Sequence, residues 1–236
     1  MSALFDTLIS QITTGLAIQW SNRDGQVVPE TGDIVLKNGA VTLDAVYLYA
    51  DLAASSQLAK LCPWETTAQI IRAYLDLATR LIRAHGGHIR SFDGDRVMGV
   101  FVGPLKNTSA VECARNIFWM VEKELAPRAT ARFNSVRNNG ITIRNCVGVA
   151  HGEARAVRAG IRDNSDLIWI GKAPSFAAKL SDIREWPYCV LISDQTYKAL
   201  GDASKLNAGN NIWEARTITF GGASETIYRT QTMKRP

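Results

Sequence analysis

The sequence is poor in cysteine and histidine and lacks the spacings that disulfide or zinc sites require. Its four cysteines lie far apart, at Cys62, Cys113, Cys146 and Cys189, and no C-x-x-C pair occurs. The three histidines complete no zinc pattern. We therefore expect free, buried thiols in a reducing compartment, and a cytoplasmic protein.

Long apolar runs and long basic runs are also absent. No stretch approaches the roughly 18 uncharged apolar residues of a membrane-spanning helix, so we expect no membrane partner. Residues 1–20 carry Asp6 and have no basic start, which argues against a secretion signal. The net charge of +5 is spread over scattered arginines, so we expect no nucleic-acid partner. Such a mild excess of positive charge is consistent with binding of an anionic small molecule, or with a basic surface that contacts only solvent.

The composition that is present is that of a globular protein. Of the 236 residues, 46% are apolar and 21% are charged. This length suits one large domain with an appendage, or two small ones. Apolar residues near helical spacing in 3–20 predict an amphipathic helix that packs on a partner or on the domain itself. A turn-rich linker at 21–32 follows, so we divide the chain into an N-terminal helix and linker, 1–35, and a main domain, 36–236.

The main domain alternates strand and helix signals. Strands are predicted at 34–36, 45–51, 88–91, 97–101, 141–150, 167–170 and 190–192. A turn at Gly152 is predicted to lead into a further strand that ends at about residue 157, and a hairpin formed by 217–220 and 226–228 closes the domain. Helices are predicted at 64–85, 110–125, 174–183 and 193–200. Hairpins mixed with crossovers indicate an α+β fold, with helices on one face of the sheet.

Two aspartates stand where apolar strands meet tight turns. Asp51 closes the strand at 45–51, and Asp95 follows Gly94 in a charged turn. Mg²⁺ prefers hard oxygen ligands, usually one or two carboxylates together with substrate phosphates. The pair could therefore hold two divalent ions against a triphosphate, although aspartate is also common in turns. Asp93 is close by, but the glycine before Asp95 favours Asp95, and Asp93 is expected to cap the turn.

Four elements, in order, resemble a class III nucleotide cyclase catalytic domain over roughly residues 40–230. The first is the strand ending in Asp51 with the small-residue turn at 52–56. The second is the helix-ending pair Gly86 and Gly87, followed by Asp95. The third, at 147–153, reads VGVAHGE, a glycine-punctuated strand and turn. The fourth, at 171–180, reads GKAPSFAAKL and resembles the signature G-x-x-V-N-x-A-x-R-L.

The resemblance implies a fold, an assembly and a set of site residues. The fold is a ferredoxin-like βαββαβ core with a mixed sheet and helices packed on it, in a head-to-tail homodimer. Asp51 and Asp95 would bind two Mg²⁺ or Mn²⁺ ions per active site. The opposite subunit would supply Ser175 and Lys179, which replace the signature asparagine and arginine. A solvated lysine is the usual alternative on a helix face, and the signature register is what favours the site role of Lys179. The turn would bind the β- and γ-phosphates of a nucleoside triphosphate through the amides of Leu52, Ala53, Ala54, Ser55 and Ser56.

The sequence departs from the family pattern at the positions that contact the nucleotide base. Purine cyclases carry lysine or glutamate four residues before the second metal aspartate, where this chain has Ser91. A second base-reading position, three residues before the signature glycine, is Ile168. Removing both polar groups should change the base, because a site built to hydrogen-bond one base edge rejects others. Ser91 could instead be a plain strand residue and Ile168 plain core. Tyr49 is a possible base contact, although a tyrosine there more often packs in the core.

This pattern resembles the stand-alone pyrimidine cyclases of bacterial anti-phage (Pycsar) systems, whose cyclic nucleotide activates a separate effector protein. The resemblance implies conversion of UTP to cyclic UMP, with CTP to cyclic CMP as the alternative. A further alternative is a degenerate cyclase domain that binds nucleotide or dimerises without catalysis. The replaced signature asparagine and arginine favour that alternative, and the retained paired aspartates count against it.

Overall fold

The computed structural model describes residues 2–236. Its α-helices are α1 (Ala3–Leu16), α2 (Ser55–Leu61), α3 (Trp64–Ala84), α4 (Lys106–Met120), α5 (Ala126–Arg132), α6 (Asn134–Asn138), α7 (Lys172–Ser181), α8 (Asp194–Lys198) and α9 (Asp202–Lys205). Its strands are β1 (Ser21–Asp24), β2 (Gly39–Leu52), β3 (His88–Asp93), β4 (Arg96–Phe101), β5 (Asn145–Ile161), β6 (Asn164–Ile170), β7 (Val190–Ser193), β8 (Leu206–Asn207), β9 (Asn210–Asn211), β10 (Glu214–Phe220) and β11 (Ala223–Thr230). A 3₁₀ turn spans Thr31–Asp33 and a π-helical turn spans Val121–Leu125.

The chain forms two compact units. The larger contains Asp44–Glu153 and Gly171–Pro236, and the smaller contains residues 2–43 and Ala154–Ile170. The boundary predicted between residues 35 and 36 stays a prediction. No helix within residues 2–236 has both the length and the apolar character needed to cross a membrane.

The sheet of the larger unit has the strand order β10-β11-β7-β5-β2-β4-β3. Strand β4 pairs antiparallel with both β2 and β3, whereas β5 pairs parallel with β7, so the sheet is mixed. Helix α3 connects β2 to β3, and α4 with the turns after it connects β4 to β5. This succession, β2-α3-β3-β4-α4-β5, is a βαββαβ unit. The predicted α+β class and ferredoxin-like core are confirmed.

Helix α3 shows how the apolar pattern builds the core of the larger unit. Ile70, Tyr74, Ala78 and Ile82 recur every four residues and are all buried. Residues at this spacing share one face of a helix, and that face packs into the main apolar cluster together with strand residues such as Val46. The helix predicted at 64–85 is confirmed, and the helix predicted at 110–125 is found as α4 and the π-helical turn.

The smaller unit contains α1 and two short strand pairings. Strand β1 runs parallel to residues 39–42 of β2, and β6 runs antiparallel to residues 155–161 of β5. Helix α1 confirms the predicted N-terminal helix but ends at Leu16. None of its residues is buried, so its apolar side chains, among them Leu8 and Ile12, are exposed.

Three sequence predictions about strands and linkers are wrong. Residues 34–36 form no strand, because the chain turns there and the Gly39 N–H donates a hydrogen bond to the Val35 carbonyl over 3.1 Å. The linker predicted at 21–32 begins with β1, which pairs with β2. The chain does not turn at Gly152, because β5 continues through it to Ile161.

Candidate active site

Asp51 is positioned by β2, in which it is the last residue but one. Its side chain is 13% exposed, and Arg184 Nη2 donates a hydrogen bond to Asp51 Oδ1 over 2.7 Å. Burial raises the pKa of the Asp51 carboxyl to about 6. Arg184 opposes that rise, and the negative charge of Asp95 adds to it. Two carboxylates thus lie near each other in a partly buried site.

Asp95 lies in the tight turn between β3 and β4. Gly94 has a φ of +60°, a left-handed conformation that glycine adopts without steric cost. Asp51 pairs with Arg96 across β2 and β4, so Asp95 is the neighbour of the residue opposite Asp51. Within the described chain, the buried Oδ2 atom of Asp95 has no hydrogen-bond partner. A buried carboxylate oxygen without a partner is costly, and a bound cation would satisfy it.

Asp93 shares this turn but has a different environment. Its side chain is 78% exposed and forms an ion pair with Arg96 Nη2 at 3.0 Å. Arg96 Nη1 also contacts Asp182 Oδ1 at 3.3 Å, just beyond the end of α7. The Asp93 carboxylate is therefore already paired with a cation, and the partnerless oxygen belongs to Asp95.

The two carboxylates fit a divalent ion such as Mg²⁺ or Mn²⁺. Among residues 2–236 there is no group of three or more histidine, cysteine, aspartate or glutamate side chains that could hold a metal. Two carboxylates would leave the other coordination positions to water and substrate phosphates, which is the usual way that Mg²⁺ is bound with nucleotides. The donor set suits an ion that arrives with a nucleotide.

The turn predicted to bind phosphate lies between β2 and α2. The Ala53 N–H donates a hydrogen bond to the Arg144 carbonyl over 2.9 Å, so this amide is committed to the protein. This bond counts against a phosphate contact through the Ala53 amide. The contacts predicted for Leu52, Ala53, Ala54, Ser55 and Ser56 stay predictions.

Helix α7 carries the two predicted signature residues on one exposed face. Ser175 and Lys179 are both exposed and lie four residues apart, and the Ser175 hydroxyl donates a hydrogen bond to the Gly171 carbonyl over 3.3 Å. The opposite face packs on β5, where a Cβ atom added to Gly148 would lie 2.1 Å from the Ala177 carbonyl oxygen. No hydrogen bond or ion pair in the described chain joins Ser175 or Lys179 to Asp51 or Asp95.

Two of the predicted base-contacting residues share one row of the sheet. Tyr49 on β2 and Ser91 on β3 both lie opposite Met98 on β4, so their side chains are on the same face. The Tyr49 hydroxyl contacts Met98 Sδ at 3.1 Å, and the Arg96 guanidinium lies 5.6 Å from the centre of the Tyr49 ring. The Tyr49 side chain therefore packs against Met98 and Arg96 within the protein. The Ser91 side chain is half-buried.

The third predicted base-contacting residue, Ile168, belongs to the smaller unit. It lies on β6 opposite Val157 and is 45% exposed, so it is not a core residue. The roles predicted for Tyr49, Ser91 and Ile168 in binding the base stay predictions.

Sequence reasoning missed Arg184 and Asp182 at this site. Both follow α7, and they contact Asp51 and Arg96, which lie far earlier in the chain. Arg184 and Asp51 are 133 residues apart, and no motif spacing connects them. The only available signal was their place directly after the signature helix.

Comparison with known proteins decides the family. No sequence-family model matches the chain. A protein named uridylate cyclase from Rhodovulum sp. (strain MB263) is 41% identical over 233 residues, which cover 98% of this chain and 97% of that relative. This chain belongs to the uridylate cyclase family. A uridylate cyclase from Xanthomonas perforans is 36% identical and one from Burkholderia cepacia is 35% identical, and each alignment covers 89% of this chain.

Solved nucleotide cyclases share the fold. The adenylyl cyclase CyaB from P. aeruginosa matches 81% of this chain and 95% of its own, with a TM-score of 0.66 and 20% identity. The guanylate cyclase domain of RhGC from Catenaria anguillulae, solved in complex with GTP, matches 82% and 99%, with a TM-score of 0.62 and 16% identity. Together with membership of the uridylate cyclase family, these matches confirm the predicted class III cyclase fold and the predicted nucleotide cyclase enzyme.

Proposed function

We propose that this chain converts UTP to 3′,5′-cyclic UMP and pyrophosphate. The observation that carries the proposal is the 41% identity, across 98% of the chain, to a uridylate cyclase. The paired carboxylates of Asp51 and Asp95, one of them with a partnerless buried oxygen, support catalysis over a purely structural role. A domain without chemistry gains nothing from keeping two like charges in a partly buried site.

In this proposal Asp51 and Asp95 hold two Mg²⁺ or Mn²⁺ ions. Bound there, the ions would lower the pKa of the substrate 3′-hydroxyl and neutralise charge on the leaving pyrophosphate. The 3′-oxygen attacks the α-phosphorus in line with the departing pyrophosphate. The amides of the turn after β2, other than that of Ala53, bind the β- and γ-phosphates.

A second subunit completes the proposed site. Ser175 and Lys179 lie on an exposed face and have no bond to the aspartates of their own chain, which supports a head-to-tail homodimer in which they reach the partner's aspartates. Lys179 then places a positive charge beside the phosphates in the transition state, and Ser175 contacts the ribose. Lysine supplies charge without the bidentate geometry of arginine.

In the larger unit, Ser91 offers one hydroxyl group and Tyr49 offers apolar surface for the proposed contacts with the base. The base contact proposed for Ile168, in the smaller unit, is a separate proposal. The uracil O4 atom accepts a hydrogen bond and the cytosine N4 group donates one, and a serine hydroxyl can serve either. We propose UTP as the preferred substrate because the relatives that are 35–41% identical are named uridylate cyclases, and CTP is the second candidate.

We further propose a cytoplasmic signalling enzyme of anti-phage defence, whose cyclic nucleotide activates a separate effector protein. Four free cysteines among the described residues suit a reducing compartment. The role in defence is supported by the resemblance to the stand-alone pyrimidine cyclases.

Competition among substrates tests this proposal. Purified protein is incubated with equal concentrations of ATP, GTP, CTP and UTP, with Mn²⁺ or Mg²⁺, and the products are separated by mass. We expect cyclic UMP to dominate, with cyclic CMP second. Dominant cyclic AMP or cyclic GMP would reject a pyrimidine cyclase, whereas dominant cyclic CMP would correct only the base. Nucleotide binding without any cyclic product would favour the non-catalytic alternative.

A further inference from the structure

Arg184 occupies a position between the end of α7 and the Asp51 carboxylate. Its Nη1 group donates a hydrogen bond to the Ser181 carbonyl, and its Nη2 group donates to Asp51 Oδ1 over 2.7 Å. The guanidinium is thus bonded to backbone on one side and to a candidate metal ligand on the other. The side chain of Arg184 is 33% exposed, so solvent lies next to it.

The two aspartates differ in how accessible their oxygens are to a cation. Asp95 has a buried oxygen that lacks a hydrogen-bond partner in the described chain, whereas Oδ1 of Asp51 already accepts a charge-assisted hydrogen bond. A divalent ion at Asp51 would lie close to the positive guanidinium and would repel it. Metal binding and the Arg184–Asp51 bond therefore compete for one carboxylate.

Arg96 also acts electrostatically on Asp51, but its terminal groups contact other carboxylates. The terminal groups of Arg96 are taken by Asp93 at 3.0 Å and by Asp182 at 3.3 Å. Arg184 Nη2, by contrast, forms an ion pair with Asp51 Oδ1 at 2.7 Å. Its partial exposure leaves a route to water when the bond to Asp51 breaks.

We infer that Arg184 is the counter-ion of Asp51 in the metal-free protein and that it releases this carboxylate when a divalent ion binds. It is a positioning residue, because it acts on a metal ligand. The inference rests on the proposed function only in that Asp51 and Asp95 are the metal ligands.

Metal binding without nucleotide tests the inference independently of turnover. Wild-type protein, Arg184→Gln and a control, Lys198→Gln, are titrated with Mn²⁺, and free Mn²⁺ is followed by electron paramagnetic resonance. The control removes another surface ion pair, with Asp194 at 2.6 Å. We expect Arg184→Gln to bind Mn²⁺ about five- to tenfold more tightly than wild type. In this variant the metal ion no longer has to displace a charged hydrogen bond from Asp51, and the effect is modest because solvent screens that bond. The control should bind like wild type.

Thermal unfolding provides a second measurement. Metal-free Arg184→Gln should unfold at a lower temperature than wild type, and Mn²⁺ should raise its Tm by more. Equal or weaker Mn²⁺ affinity in Arg184→Gln would overturn the inference, because it would mean that Arg184 does not compete with metal. If circular dichroism shows that this variant is unfolded, Arg184→Met replaces it. Methionine also removes the charge and has a flexible side chain that can fill the partly buried position, so tighter Mn²⁺ binding is expected again and unchanged or weaker binding would overturn the inference.

Asp95→Asn separates this inference from the proposed metal site. If wild type and Asp95→Asn bind Mn²⁺ equally, the metal site is misplaced and the inference fails with it. If Asp95→Asn loses Mn²⁺ binding while Arg184→Gln gains none, only the role of Arg184 is wrong.

Discussion

Asp51, near the end of β2, and Asp95, in the turn between β3 and β4, both carry carboxylates, but their immediate contacts differ. Asp51 is hydrogen-bonded to Arg184, and Asp95 has one buried oxygen without a partner in the described chain. Asp93, two residues before Asp95, is mostly exposed and paired with Arg96. Because Asp93 and Asp95 share one turn but differ in exposure and in contacts, substitutions at these two positions can be compared directly.

We expect Asp51→Asn and Asp95→Asn each to reduce turnover by about a thousandfold or more, because loss of a metal ligand removes several kcal/mol of transition-state stabilisation. Both variants should remain folded and keep the oligomeric state of wild type. Initial rates of cyclic nucleotide formation and light scattering after size exclusion measure the two properties.

The control for this pair is Asp93→Asn, which changes the same turn at an exposed position. It should keep activity within about threefold of wild type, since exposed ion pairs contribute little. Near-normal turnover in either of the other variants would show that the metal site is elsewhere.

The places of the two aspartates beside strand ends and tight turns were predictable from the local sequence, whereas their role as metal ligands came from the resemblance to the cyclase family and stays a prediction. The place of Arg184 was not predictable. Its contact with Asp51 depends on where the chain leaves α7, and local periodicity does not determine that position. The commitment of the Ala53 amide to the Arg144 carbonyl is likewise a tertiary contact.

At the scale of elements, the approach of α7 to β5 depends on Gly148. A Cβ atom there would lie 2.1 Å from the Ala177 carbonyl oxygen and 2.5 Å from the Ser181 amide nitrogen. Both neighbours are backbone atoms, so a side chain could be accommodated only if the helix moved. Helix α7 carries Ser175 and Lys179, and the position of these residues therefore depends on this glycine.

We expect Gly148→Ala to destabilise the protein by about 2–3 kcal/mol, as overpacking in a close-packed interior does, and to reduce turnover as well. Gly32→Ala is the control, because nothing lies within 4 Å of the added Cβ atom. Urea unfolding midpoints measure the effect. An unchanged midpoint for Gly148→Ala would mean that the contact between α7 and β5 is looser than described.

Helices were predicted more accurately than strands. The four-residue spacing of Ile70, Tyr74 and Ala78 defines α3 without reference to the rest of the chain. Strand limits depend on pairing partners instead. Strand β5 runs through Gly152, beyond which its residues pair with β6, and residues 34–36 are apolar yet belong to a turn.

At the scale of the whole molecule, the proposed site needs residues of two subunits. Mixing Asp51→Asn with Lys179→Ala should restore activity, because one of the two sites in a mixed head-to-tail dimer is then intact. With equal amounts and random exchange, about a quarter of wild-type activity is expected, since half of the dimers are mixed and each has one intact site.

The matched control is a mixture of Asp51→Asn with Asp95→Asn, in which both sites of the mixed dimer lack a metal ligand. It should show no recovery. Failure of the first mixture, with subunit exchange demonstrated by labelled chains, would place the whole site within one chain or give Lys179 another role.

The acidic and basic groups around Asp51 also affect whether the free nucleoside triphosphate or its magnesium chelate approaches the proposed site more readily. Among the described contacts around Asp51, four carboxylates, from Asp51, Asp93, Asp95 and Asp182, lie near two guanidinium groups, from Arg96 and Arg184. This surplus of negative charge repels a bare triphosphate during diffusional encounter and repels its magnesium chelate less. If the proposed reaction takes place at this site, uncomplexed nucleotide is expected to compete poorly, and the rate of synthesis is expected to follow the concentration of the chelate and hence the supply of free magnesium.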